Sequence, residues 1–197
     1  FGGTLRGVIE KLDHIQALGF NTIWLTPIFR SPTHHGYDIS DYTQIEPRIG
    51  TQADLAELIS LVHKKGMRIL LDFVANHSSD QHPAFLAGMA DQDVANSGWF
   101  TWTKWPKRYL SYYNVRTMPE FNLHFDSPAR AYLLDAAQKW LRMGVDGYRL
   151  DYAIGPGRDF WVDFQQACLQ INADCWTFGE VVASAEEQTQ LAGSMHG

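Results

Sequence analysis

The stretch Thr51–Phe73, "TQADLAELISLVHKKGMRILLDF", decides how the rest of the chain is read. Its first part, closing at Gly66, has the capped, amphipathic pattern of a helix, and "MRILLDF" then runs apolar as a strand. The same unit recurs on both sides. Upstream, Leu5, Val8, Ile9, Leu12, Ile15 and Leu18 keep helical spacing between Thr4 as N-cap and Gly19 as stop, and "FNTIWL" follows as a strand. Downstream, "SPARAYLLDAAQKWLRMG" has Ser127 as cap, Pro128 at the first helical position and Gly144 at its end, and it feeds "VDGYRLD". A fourth helix, Arg158 to Ile171, feeds "CWTFGE". Helices alternating with near-continuous apolar strands imply an α/β fold: a parallel sheet covered by helices.

The connections are unequal. Turns from helix to strand are short, whereas roughly fifty residues, His77 to Ser127, separate a strand from its next helix, far beyond the usual 2–6. The elaborated edge is therefore the one where strands end, and sites of parallel α/β folds lie there. Asp72, Asp151 and Glu180 are each read at the C-terminal end of an apolar strand. One such residue is usually a cap or a salt-bridge partner. Three on consecutive strands would crowd like charges into one mouth, an arrangement that favours a functional role.

Composition removes several function classes. The chain has 197 residues, 45% of them hydrophobic, enough for a sizeable core. Sixteen basic against 22 acidic residues, a net charge of −6, speaks against a nucleic-acid surface. No run is long and apolar enough for a membrane span, and "FGGTLRGVIEKLD" does not read as a signal peptide. Cytoplasmic and secreted settings both stay open. Cys168 and Cys175 read as a buried free pair, with a single bridge as the minority reading. Seven Trp exceed the needs of such a core and raise the prior for stacking on a flat ligand.

The motifs at these strand ends carry a resemblance. "DFVANH" (Asp72–His77), "GYRLD" (Gly147–Asp151) and "FGE" (Phe178–Glu180) resemble three ordered motifs of the α-amylase family, glycoside hydrolase family 13. "GYDISDY" and "MPEFN" (Met118–Asn122) resemble two more. The resemblance implies a (β/α)8 TIM-type barrel, of which strands two to five are present. It also implies a domain-B-like insertion over 77–127, flanked by barrel parts 1–76 and 128–197. By the same resemblance Asp151 is the nucleophile, Glu180 the general acid/base, and Arg149 the cation that keeps the nucleophile ionised. Tyr37, Asp72, Asn76 and His77 form the shell around the sugar.

The chemistry agrees with these roles. Retaining glycoside hydrolysis needs a nucleophilic carboxylate and a carboxylic acid ~5–5.5 Å apart, and neighbouring strands lie about 5 Å apart. Arg149, two residues before Asp151, points to the same face and is expected to depress the pKa of Asp151, while Glu180 stays protonated. In the opening loop "WLTPIFRSPTHHGYDISDY", Tyr37 is expected as a stacking platform and His35 as a donor. The chemistry requires no cofactor, although Asn76 matches a position that often ligates calcium in the family, so a structural calcium is admitted there. The family's third catalytic carboxylate falls outside this stretch, and Ile154 and Gly155 stand where many members have a Lys-His pair.

The expected function is retaining hydrolysis of α-glucosidic bonds in starch-like or malto-oligosaccharide substrates. Alternatives are a cyclomaltodextrinase- or neopullulanase-like hydrolase, a glucan transglycosylase, or a non-catalytic sugar binder on the same barrel. His34, His35, His77 and His82 lack the helical pairing of a zinc protease. "WFTWTKWPKRYLSYY" is read as a sugar-facing segment or as the insertion's own small core, with nucleobase stacking less favoured. Made alone, the chain is expected to be inactive on starch and to self-associate.

Overall fold

The helices begin where short polar side chains take up the first free backbone amides. In the computed structural model, which describes residues 3–197, α1 (Leu5–Ala17) opens on Thr4, whose hydroxyl accepts from the Gly7 N–H. Chain order then gives β1 (Thr22–Leu25), the short antiparallel pair β2 (Phe29–Arg30) and β3 (Asp41–Ile45), and α2 (Gln52–Lys64). A reciprocal capping box of Thr51 and Asp54 starts α2. Next come β4 (Arg68–Val74), α3 (Pro83–Ala90), α4 (Gln92–Ala95), and the hairpin of β5 (Trp102–Lys104) and β6 (Arg108–Tyr109). The chain continues through α5 (Pro128–Arg142), β7 (Gly147–Asp151), α6 (Arg158–Ile171), β8 (Trp176–Gly179) and α7 (Ala185–Leu191). As expected, Ser127 caps α5 with Pro128 at its first position. β1 ends at Leu25, as the strand "FNTIWL" does, whereas the β2–β3 pair and α7 have no counterpart in the sequence reading.

β1, β4, β7 and β8 form one parallel sheet in that order, each strand beside its sequence neighbour. This is the arrangement of four consecutive barrel strands, with a helix crossing between each pair. The register places Asp72 opposite Arg149, and Arg149 opposite Phe178. α5 and α6 pack against each other and cover one face through a continuous aromatic layer. Phe73 lies 5.0 Å from Phe164 and 5.3 Å from Tyr148, centroid to centroid. Trp140, fully buried, is 5.4 Å from Phe29 and donates its indole N–H to the Tyr42 carbonyl at 2.8 Å. Trp140 and Trp161 are thus core residues, and the tryptophan excess is partly absorbed by packing. Cys168 and Cys175 are buried and free.

The long connection after β4 folds on itself. Its aromatics form a local core in which Phe85 stacks on Trp102 and Phe100 on Phe121. Its two ends close like a clasp, because Phe121 N–H donates to the Asn76 carbonyl and His77 bridges Glu120 in antiparallel fashion. The clasp sets "MPEFN" against "DFVANH" at the mouth of the sheet. No helix among the described residues is long and apolar enough to cross a membrane.

β1 and β8 are the outer strands, and Trp24 and Trp176 on them are 46% and 45% exposed. Unpaired edges bearing large apolar side chains are templates for association. The 197-residue polypeptide produced by itself is therefore expected to self-associate. Sedimentation velocity should show oligomers, and a clean monomer would contradict this.

Candidate active site

Parallel register does the first part of the assembly. In β7, Arg149 and Asp151 are two residues apart and share a face. Leu150 pairs with Gly179, so Glu180 continues alongside Asp151, and its N–H donates to the Leu150 carbonyl at 2.9 Å. Asp72 differs from expectation. β4 runs on to Val74, so Asp72 lies two residues inside the strand, level with Arg149 and one layer below the mouth.

Arg149 joins the three acids. Its Nη1 donates to Asp72 Oδ1 and Oδ2 at 2.9 and 3.0 Å and to Asp151 Oδ1 at 2.7 Å, and its Nη2 faces Glu180 Oε1 at 2.9 Å. The guanidinium also lies over the Trp24 ring, 5.1 Å from its centroid. Asp72 is wholly buried, Arg149 and Asp151 are nearly so, and the Glu180 side chain is 42% exposed.

Burial pushes the Asp72 carboxyl up to about 7, with Arg149 pulling it back down. Asp151 is also raised above the usual carboxylate range, again by burial first and against Arg149. The expected depression of Asp151 is thereby corrected: one cation shared among three carboxylates offsets only part of the desolvation. Both Glu180 oxygens are engaged, Oε1 2.9 Å from Arg149 Nη2 and Oε2 accepting from the Tyr152 backbone N–H at 3.1 Å.

Tyr37 reaches the same cluster from the loop after β2, donating its hydroxyl to Asp72 Oδ2 at 3.2 Å. Gly36 makes that reach feasible: at φ +81 it turns the loop, and a Cβ there would come within 2.8 Å of the Pro27 carbonyl oxygen. His35 lies against Tyr37, ring centroids 6.2 Å apart, and its Nδ1 accepts the Tyr37 N–H. With Nδ1 accepting, the proton of the neutral ring lies on Nε2, the nitrogen left to serve as the expected donor.

His77 is 1% exposed and stacks on Tyr112 at 4.6 Å. The Asn76 side-chain amide is 3.4 Å from Nδ1, and Nε2 has no hydrogen-bond partner. Burial lowers the ring to about 4. It is thus a neutral imidazole which, with Asn76 donating to Nδ1, carries its proton on Nε2. A buried unpaired donor is uncommon without a role. Asn76 also reaches Glu120, whose carboxyl burial raises. Calcium takes about six to eight oxygen ligands. Among the described residues no group of three or more His, Cys, Asp or Glu side chains is arranged for a metal. Asn76 with Glu120 does not make such a cage.

Three residues at this mouth escaped the sequence reading. Tyr112 sits inside a segment read as the insertion's own, Glu120 was seen only as part of a motif, and Tyr152 simply follows Asp151. Only the clasp of the insertion brings them together.

The low pKa of His77 gives a pH dependence of stability. Between about pH 6.5 and about 4 the unfolded chain takes up a proton that folded His77 refuses, so stability falls as pH falls through that window. In His77→Gln the fall in Tm over this range should be shallower than in the parent. Identical slopes would mean that the folded ring is protonated.

With the geometry in place, the similarities to known proteins are informative. A family model described as "Alpha amylase, catalytic domain" matches residues 2–195. "Alpha-amylase 2" of Dictyoglomus thermophilum is 39% identical over the whole chain, which covers 34% of that protein. A "Cyclomaltodextrinase" from Bacillus sp is 37% identical over 92% of the chain and 34% of its own length. The structure of cyclic α-maltosyl-(1→6)-maltose hydrolase from Arthrobacter globiformis superposes with a TM-score of 0.90 at 35% identity, covering 99% of this chain and 45% of that one. The chain thus spans about a third of the length of these curated relatives. It belongs to the α-amylase family, as part of its catalytic domain.

Proposed function

We propose that the protein carrying this chain is a retaining glycoside hydrolase that cleaves α-glucosidic bonds in starch-like glucans or malto-oligosaccharides. The observation that carries this reading is the single guanidinium of Arg149 joining Asp72, inside β4, to Asp151 and Glu180 at the ends of the two adjacent strands.

In this reading Asp151, bound to Arg149 through Oδ1, attacks the anomeric carbon with Oδ2. Glu180 protonates the departing glycosidic oxygen, and a covalent glycosyl-enzyme forms as the bond to the leaving sugar breaks. Glu180, now a carboxylate, takes a proton from water, which attacks the same carbon and releases Asp151. Delivering the first proton requires Glu180 to leave the Arg149 contact, and its half-exposed side chain has room to turn. His77 donates from Nε2 to a sugar hydroxyl. Tyr37 offers its ring to the sugar face while its hydroxyl holds Asp72. His35 supports Tyr37 from behind. Any structural calcium near Asn76 would need oxygen donors beyond the residues gathered there.

The names of two relatives, cyclomaltodextrinase and cyclic maltosyl-maltose hydrolase, favour a narrower reading in which cyclic or short α-glucans are better substrates than starch. Initial rates of the full-length protein on starch, cyclodextrin, pullulan and maltotriose would rank them, and a strong preference for starch would refute the narrower reading.

Asp151→Asn and Glu180→Gln in the full-length protein should each reduce turnover by roughly 10³-fold or more, with the far-ultraviolet circular dichroism unchanged. Activity within a few-fold of the parent would sink the assignment. Proton NMR of the first product should show the retained α-anomer; an inverted product would rule out double displacement.

A further inference from the structure

The face of the sheet turned away from α5 and α6 carries aromatic rings of its own. Paired residues of a parallel sheet stand level, and side chains along a strand alternate between faces. Trp24, Leu70, Gly147 and Trp176 therefore form one row, and Asp72, Arg149 and Phe178 the next row towards the mouth on the same face. Trp24 and Phe178 belong to the two outer strands, with β4 and β7 between them, yet their rings meet edge to face at 5.9 Å. In a flat sheet those strands would lie roughly 14 Å apart, so the contact needs a sheet curled around this face. Trp176 braces Phe178 in turn, at 5.0 Å.

Arg149 sits on this brace. Gly147, two residues earlier on the same face, has no side chain to support it, and the support comes from β1: the guanidinium carbon lies over the Trp24 ring, 5.1 Å from its centroid. The edges of the guanidinium are spent on carboxylates, Nη1 on Asp72 and Asp151 and Nη2 on Glu180. Its flat faces are left for packing, and indole is the aromatic ring that attracts a cation most strongly.

The seat matters because the three acids pull in different directions. Asp72 is wholly buried, Asp151 nearly so, and the Glu180 side chain is 42% exposed. A long, flexible side chain without a floor would follow Glu180 towards solvent and loosen its hold on the two deeper carboxylates. We propose that Trp24, braced by Phe178, is a positioning residue that keeps Arg149 between Asp72 and Asp151 during glycoside cleavage; this rests on the glycosidase reading. The titratable groups that face Arg149 are Asp72 from β4, Asp151 from β7 and Glu180 after β8. Tyr37, bonded to Asp72, and Tyr112 of the insertion complete the surroundings.

The test is the pH profile of kcat/KM for maltohexaose in the full-length protein. Arg149 pulls the Asp72 and Asp151 carboxyls down, so a loosened guanidinium lets both rise and moves the acid limb to higher pH. Trp24→Met, which fills space without a ring, should move the limb up by about one unit. Trp24→Phe, which keeps a ring, should leave the limb at its parent position. If the Met variant does not fold, Phe178→Leu, which removes the brace, should move the limb in the same direction. A lower melting temperature with an unmoved limb, or a Phe variant shifted as far as the Met variant, overturns the seat. A parent inactive on maltohexaose overturns the glycosidase reading and the seat with it, whereas an active parent whose variants leave the limb unmoved overturns the seat alone.

Discussion

One buried cation organises the mouth of this sheet. Arg149 is the sole guanidinium bound to Asp72, Asp151 and Glu180 among the described residues, and it rests on the Trp24 ring. Three carboxylates so close together are costly unless paired, and a buried Arg without partners is costly as well. Each requirement satisfies the other only if β4, β7 and β8 keep their register. A slip of one residue would turn Asp72 or Arg149 to the opposite face, among the aromatics under α5 and α6. Register, charge pairing and the geometry of the cluster are therefore one constraint.

The walls of the site are loops, and buried hydrogen bonds tie them to the sheet. The Tyr42 hydroxyl lies 2.7 Å from the Val74 carbonyl and 2.8 Å from that of His77, pinning the end of β4 to the loop that carries Tyr37. Within that loop Asp38 accepts from the Ser31 and Thr33 hydroxyls, and Arg48 Nη2 donates to the carbonyls of both residues. Loop side chains held this way keep their geometry although they belong to no strand or helix. The clasp at Asn76–Phe121 does the same for the insertion, setting Tyr112 against His77.

The shared cation also explains the protonation behaviour. Burial raises the Asp72 and Asp151 carboxyls, and the positive charge of Arg149 offsets only part of that. Asp72, wholly buried, is pushed furthest.

Local chemistry determined much of this protein from the sequence alone. The caps Thr4, Thr51 and Ser127 and the α6 boundaries at Arg158 and Ile171 were legible, because helix starts and apolar periodicity are short-range properties. So was the strand order, since alternating units leave few parallel topologies. Asp151 and Glu180 were legible as strand-end acids, and Arg149 as their neighbour on the same face. The sequence could not supply what depends on distant segments meeting. The depth of Asp72 within β4, the tautomer that the Tyr37 N–H sets on His35 and the balance of burial against charge at Asp151 needed the full set of neighbours. The meeting of Tyr112 with His77 and Tyr152 depends on a roughly fifty-residue excursion folding back on itself, a length with no local rule to set its endpoint. Short-range preferences chose the elements, and tertiary packing chose which side chains share a cavity and a charge.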